Sequence, residues 1–215
     1  MNNSRLSGKF ITFEGGEGVG KSTNIDFARQ LIEAQGIEVV VTREPGGTFI
    51  AELIREELLK KAHPEESLAS NAELLLMFAA RSQHIEKLII PALKRGAWVL
   101  CDRFTDSTIA YQGYARGLDM QGILALKEIV QCGLEPDVTY WFDAPVELGM
   151  SRARNRGPAD RFEVEELSFF ESVRAGFVAL AQQHPDRIIK INAALELDEV
   201  QAQLRSELGR LLSDV

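Results

Sequence analysis

With 215 residues, 45% of them hydrophobic and 26% charged, the chain can bury one substantial core and falls in the single-domain range. Its formal net charge of −8 excludes a general nucleic-acid binder, which needs a basic footprint, so an anionic ligand has to be met by local clusters of Lys and Arg. The opening MNNSRLSGK has no apolar signal core, and no apolar stretch approaches the ~18 residues of a bilayer span, so no membrane partner and a cytoplasmic location are expected.

The first predicted element is a strand at 10–14 (FITFE), followed by a helix at 21–34 that Gly36 ends. A strand at 38–42 and a helix at 50–61 come next. A long helical period covers 72–94 and stops at Gly96 before a strand at 98–102. A helix at 121–131 precedes the strand at 139–143; helices at 167–183 and 198–212 flank a last strand at 188–191. The strands are short, nearly continuous apolar runs, as parallel strands buried on both faces read. Strand–helix alternation without repeats or linkers predicts one α/β domain over 1–215, a doubly wound five-stranded parallel sheet flanked by helices. Ligands are then expected beyond the carboxyl ends of the strands. One segment breaks the pattern: 152–163 reads RARNRGPADRFE, and Gly157-Pro158 interrupts a helix that begins near Pro145, which predicts a mobile, arginine-rich lid.

The strongest local signal is Gly15-Gly16-Glu17-Gly18-Val19-Gly20-Lys21-Ser22, continued by Thr23, between the first strand and the first helix. That context is what a phosphate-binding P-loop requires. Glycines let backbone N–H groups converge on phosphate oxygens, and the helix N-terminus adds partial positive charge. Lys21 is expected at the β- and γ-phosphates and the Ser22 hydroxyl on Mg²⁺. A P-loop alone leaves GTPases, ATPases and small-molecule kinases open; no Asn-Lys-x-Asp guanine-reading sequence occurs, and a chain of this length has little room for motor machinery, so the acceptor has to be read elsewhere.

Three further features concern the acceptor. Asp102 and Arg103 end a buried strand on the same crevice as the P-loop; the Asp suits Mg²⁺ and the Arg an acceptor phosphate, unless they form a plain surface ion pair. Asp143 also ends a strand, but Ala144-Pro145 after it favours a helix-capping role. Phe78 alone reads as core, yet Arg81 shares its helix face, and a ring with a guanidinium beside it could hold a base. Arg152, Arg154, Arg156 and Arg161 form either a solvated helix face or a lid that brings cations to a transferring phosphoryl group. Cys101 and Cys132 lack metal-ligand spacing, and Cys101 in its apolar run reads as a buried thiol.

Taken together, FEGGEGVGKST (13–23), TREPGGT (42–48), ELLLMFAARSQH (73–84), CDRFTDSTIAYQG (101–113) and RARNRGPADRFE (152–163) resemble the thymidylate kinase family through nearly the whole chain. The resemblance implies transfer from ATP to dTMP with Mg²⁺, in a homodimeric cytosolic enzyme of dTTP synthesis. It also implies residue roles. Phe78 would stack on thymine, Arg81 would meet the base or phosphate, and Arg103 the acceptor phosphate. Thr108 would lie at the thymine edge, Tyr111 would crowd out a ribose 2′-hydroxyl, and Gln112 would line the nucleoside. Glu17 would lie near the sugar 3′-hydroxyl, Pro45 matches a position that is often cis, and Glu163 matches an acidic residue of the nucleotide site. Glu17 together with lid arginines is the bacterial arrangement, with Arg156 as the lid residue on the transferring phosphate. Arg43 precedes Pro45, whereas some relatives carry a phosphate-binding arginine after it, which leaves its role open. Residues 192–195 are the expected adenine edge. A different nucleoside or nucleotide kinase, or a nucleotide-binding module without transfer, are the alternatives.

Overall fold

The computed structural model describes residues 6–60, 66–154 and 165–213. Five strands, β1 (Phe10–Glu14), β2 (Val39–Arg43), β3 (Trp98–Asp102), β4 (Val138–Asp143) and β5 (Ile188–Asn192), form one all-parallel sheet in the order β2-β3-β1-β4-β5. Every residue of β1 and β4 is buried, as expected of central strands covered on both faces. Helices α1 (Lys21–Glu33) and α9 (Leu197–Leu212) cover one face, where Ile11, Phe13, Ile25, Tyr140, Phe142 and Leu204 pack together. On the other face α3 (Ser70–His84), α6 (Met120–Gln131) and α8 (Leu167–Gln183) pack around Phe78, Ile109, Trp141 and Phe177. The remaining helices are α2 (Phe49–Leu59), α4 (Ile90–Lys94), α5 (Thr105–Thr108) and α7 (Val146–Arg154).

Two elements differ from the sequence pattern. The long period over 72–94 is divided: α3 passes through a π-helical turn at Ile85–Ile89 into α4, just where Pro91 removes a backbone donor and crowds the preceding turn. The second is α5, which continues as a π-helical segment, Ile109–Ala115, where no helix was expected. Its sequence, TDSTIAYQGYA, holds three β-branched residues, Asp106, Ser107, two tyrosines and a glycine, so local helix propensity is weak. Packing against α8 decides instead. A Cβ on Gly176 would lie 3.0 Å from the Ala110 Cα and from the Tyr114 ring, so the two backbones meet closely.

The register places Phe13 beside Asp102 on one side and Tyr140 on the other. Glu14, the loop that follows it, and Asp102-Arg103 therefore share the carboxyl edge of the sheet, where a ligand crevice is expected. Asp143 ends β4 on the same edge, and its carboxylate is bound by Arg174 (2.7 and 3.1 Å) and Lys190 (2.7 Å); those two cations pull its pKa below the usual range against the effect of burial. Cys101 is buried and free, and Cys132 is exposed and free.

Candidate active site

The loop from Gly15 to Gly20 turns through positive φ at Gly15 (136°), Gly18 (69°) and Gly20 (84°). At Gly18 the need for glycine is steric as well, because a Cβ there would sit 1.8 Å from the Gly149 carbonyl oxygen on α7. Gly20 caps α1, so no side chain competes for the first helical N–H groups, and no acidic residue lies in the first turn. Those N–H groups and the helix dipole make an anion cradle. Lys21 is buried, and its Nζ donates to Gly15 O (3.2 Å) and Gly16 O (3.0 Å). Burial, and then the neighbouring Arg103 charge, lower its pKa, while Asp102, Glu17 and Glu14 oppose the shift. Ser22 and Thr23 follow on the exposed side of α1, and Val19 is buried behind the loop.

Arg103 reaches the same point from the other side. Its Nη1 donates to Gly15 O at 2.9 Å and to Ser107 Oγ at 3.2 Å, and its Nη2 to Glu17 Oε1 at 2.5 Å. The Tyr111 hydroxyl donates to the same Glu17 oxygen (3.0 Å), and the guanidinium lies 5.1 Å from the Tyr111 ring centroid. The Arg103 backbone is left-handed, φ 68°, a conformation costing a non-glycine residue about 1–2 kcal/mol. Glu14 helps to hold this turn: its two oxygens accept from Phe104 N (2.7 Å) and Ser107 Oγ (2.5 Å). Burial, reinforced by the nearby Asp106 carboxylate, pushes the Glu14 pKa up to about 8. Asp106 itself is tied down by Arg187 at 2.7 and 2.9 Å.

Asp102 supplies the oxygen that a cation would use. Its Oδ1 is buried and has no hydrogen-bond partner among the described residues, which is unusual for a carboxylate. With the Ser22 hydroxyl at the start of α1 this gives an all-oxygen donor set next to the cradle, the chemistry that suits Mg²⁺.

Further along the cleft, Arg81 is only 3% exposed. Its Nε donates to Glu44 Oε2 (2.6 Å) and its Nη2 to Thr108 Oγ1 (2.9 Å), while Nη1 is buried without a partner among the described residues. The second Glu44 oxygen pairs with His84 Nδ1 (2.9 Å), and His84 Nε2 with Thr42 Oγ1 (2.7 Å). Phe78 is 2% exposed and lies under the Arg81 guanidinium, which is 4.9 Å from its ring centroid. Pro45 follows a cis bond and lies in the cleft wall, where its carbonyl accepts from Arg55 (2.8 Å). Arg43, half exposed, is paired with Glu52 (2.9 Å). Thr108, Tyr111 and Gln112 recur at i, i+3 and i+4 and all line the cleft, and Gln112 Nε2 donates to Glu73 Oε1 (2.7 Å). One continuous cavity of about 240 Å³ runs from Glu17 and Lys21 past Asp102 and Arg103 to Arg81 and Gln112.

The lid expectation is covered only at its start. Arg152, on α7, donates from Nη1 to Ala193 O (2.8 Å) in the stretch after β5, and Arg154 ends the helix. Arg156, Arg161 and Glu163 lie outside the described residues. Sequence reasoning missed Glu14, Glu44, Glu73 and Arg55. Glu14, Glu44 and Glu73 lay within the motif stretches, yet nothing local marks a glutamate as buried; for Arg55 the only signal was a cation on the helix after TREPGGT.

A parallel sheet with a phosphate cradle at its centre, and a second, arginine-lined compartment opening onto that cradle, define a P-loop phosphotransferase of small molecules. The thymidylate kinase family model matches residues 13–204, and the chain belongs to that family. It is 52% identical to the thymidylate kinase of Teredinibacter turnerae, over 96% of this chain and 100% of that one. The thymidylate kinase of Chromohalobacter salexigens is 55% identical, over 96% and 97% of the two chains. The crystal structure of thymidylate kinase from Ehrlichia chaffeensis superposes with a TM-score of 0.75 at 36% identity, covering 94% of this chain and 99% of that chain.

Proposed function

We propose that this chain transfers the γ-phosphoryl group of ATP to dTMP, giving ADP and dTDP on the way to dTTP. One observation carries the reading. Lys21 from the donor side and Arg103 from the acceptor side both hydrogen-bond to the Gly15 carbonyl, so two cations of separate origin converge on one point. A phosphoryl group passing between two nucleotides needs that convergence, since catalysis here is positioning and charge neutralisation. The backbone of residues 15–23 cradles the ATP phosphates, and Lys21 follows the transferring group. Arg103 holds the dTMP phosphate in line, steadied by Glu17, which also faces the sugar with Tyr111. A dTMP phosphate oxygen is an adequate nucleophile at neutral pH, so no general base is assigned.

Ser22 and Asp102 would hold Mg²⁺, which would supply positive charge against the ATP phosphates. Arg81 and Thr108 meet the thymine edge, with Phe78 behind the guanidinium and Gln112 and Pro45 along the nucleoside. Arg156 is assigned to the transferring phosphoryl on closure of the lid at 152–163, and Glu163 to the nucleotide site. Residues 192–195 are assigned to the adenine edge. We place the enzyme in the cytoplasm, and no described helix is long and apolar enough to cross a membrane. It is a homodimer in this reading, which is supported by the apolar side chains that α2, α3 and α6 leave exposed, among them Phe49 (78%), Leu75 (56%) and Ile129 (71%).

A coupled ADP-release assay across dTMP, dUMP, UMP, dCMP and thymidine tests the acceptor, with dTMP expected to be preferred. Lys21→Ala and Arg103→Ala are each expected to cut turnover by about 10²–10³-fold, the scale of one lost charge-stabilising donor. Arg103→Ala should also raise the KM for dTMP more than Lys21→Ala does. Unchanged dTMP kinetics in Arg103→Ala would remove this acceptor site.

A further inference from the structure

Glu73 lies in the first turn of α3, 1% exposed, behind the far end of the cleft. Its Oε1 accepts from Gln112 Nε2 at 2.7 Å and from Arg116 Nε at 3.4 Å, and Arg116 is in turn paired with Glu165 at 2.7 Å. An ion-paired carboxylate has no proton to offer, so the Gln112 amide must turn its NH₂ toward Glu73. The amide oxygen is then the end that remains for the cleft Gln112 lines.

Two turns along the same face of α3 stands Arg81. It is joined to Thr108, one turn before Gln112, and its Nη1 is buried without a partner among the described residues. Arginine can only donate. This wall therefore presents a fixed donor and, near it, a fixed acceptor. The edge of thymine carries the complement, a C4 carbonyl oxygen beside an N3–H. Cytosine reverses both, with a C4 amino group beside a bare N3.

We propose that Glu73 sets the choice of acceptor base: by holding the Gln112 amide in one orientation, it admits 4-oxopyrimidine monophosphates and refuses 4-aminopyrimidine ones. This rests on the reading of the cleft as the dTMP site. Glu73 acts through Gln112 and is a positioning residue. Substitution by Gln gives Gln112 a partner that can either donate or accept, so the amide is free to turn over.

The test is the ratio of kcat/KM for dTMP to that for dCMP, in the wild type and in variants. Glu73→Gln is expected to lower the ratio about tenfold or more, the scale of one buried hydrogen bond turned into an unmatched pair. The change should come through a higher KM for dTMP and a lower KM for dCMP, with kcat for dTMP changed less. Arg116→Lys keeps a cation beside the Glu73 carboxylate while removing the guanidinium, so Glu73 stays acceptor-only and the ratio should stay within about threefold of the wild type, below the tenfold scale of a lost buried hydrogen bond. Glu73→Asp should likewise keep most of the discrimination. An unchanged ratio in Glu73→Gln overturns the proposal, as does an equal fall in Arg116→Lys, which would mean general loosening. If Glu73→Gln does not fold, Gln112→Met serves instead: a fallen ratio upholds the proposal and an unchanged ratio overturns it. Failure of the wild type to phosphorylate dTMP would instead overturn the function proposed above and this inference with it.

Discussion

Glu44 shows how a single buried charge organises the part of the cleft around Arg81. It is 4% exposed and bridges Arg81 and His84, so both its oxygens are committed to cations or donors. Replacing it with Gln leaves the Arg81 guanidinium buried beside a neutral amide. Breaking a buried pair from one side costs about 3–5 kcal/mol, against about 0–1 kcal/mol for an exposed pair such as Arg43–Glu52. Urea unfolding of Glu44→Gln and Glu52→Gln should separate the two by that margin, and only the first should raise the KM for dTMP. Equal destabilisation would mean that Glu44 is not the anchor of Arg81. At this scale the sequence was informative where chemistry imposes a spacing. The cradle residues and the Asp102-Arg103 pair were legible because glycines, a lysine and a strand end must fall in a fixed order. The carboxylates Glu14, Glu44 and Glu73 were not, since a buried glutamate is written with the same letter as a solvated one. Asp143 was misleading for a related reason: Ala144-Pro145 suggested a cap, while its partners, Arg174 and Lys190, lie 31 and 47 positions away in sequence.

At the scale of elements, the join between the P-loop and α7 is set by backbone contact. Gly18 is left-handed and has no space for a Cβ against the Gly149 carbonyl, whereas a Cβ on Gly16 would meet nothing within 4 Å. Gly18→Ala is therefore expected to lose at least ~1–2 kcal/mol from the backbone conformation alone. It should also weaken ATP binding, because the loop must move off α7. Gly16→Ala should unfold at nearly the wild-type urea concentration. If the two variants unfold alike, the loop is not braced by α7. The central strands were readable to within a residue because burial on both faces gives a continuous apolar run that flanking turns delimit; the edge strands β2 and β5 are only partly buried, and their runs of Val and Ile marked them instead. The segment 105–115 was not readable, although it carries Thr108, Tyr111 and Gln112. Its helical form depends on the close approach of α8 at Gly176, a contact more than sixty residues away that local propensity cannot express.

Over the whole molecule, an acidic chain of net charge −8 gathers Lys21, Arg103, Arg81 and Arg55 around one cleft and folds several carboxylates beneath them. Those carboxylates leave a mark on the pH dependence of stability. Burial, then Asp106, raises the Glu14 pKa from 4.5 to about 8, so between these values the folded protein keeps a proton that the unfolded chain has released. Stability from this group is complete below pH 4.5, falls as pH rises toward 8, and levels off above it. Asp143, held low by Arg174 and Lys190, works in the other direction, but its contribution is already complete above its ordinary pKa of 3.8. Tyr111 and Tyr140, both pushed up chiefly by burial, contribute stability that begins to fall away only near their ordinary value of 10.0. The interval from pH 5 to 8 therefore isolates Glu14 among these groups. There the unfolding free energy of the wild type should decline with a slope of at most about 1.4 kcal/mol per pH unit, the value for one proton. Glu14→Gln keeps an oxygen for the Phe104 N–H and cannot ionise, so it should remove the decline while preserving the fold. Urea denaturation of both proteins at half-unit steps across this interval measures the difference. Parallel curves would mean that Glu14 is charged in the folded protein, and the turn that holds Arg103 would then need another brace.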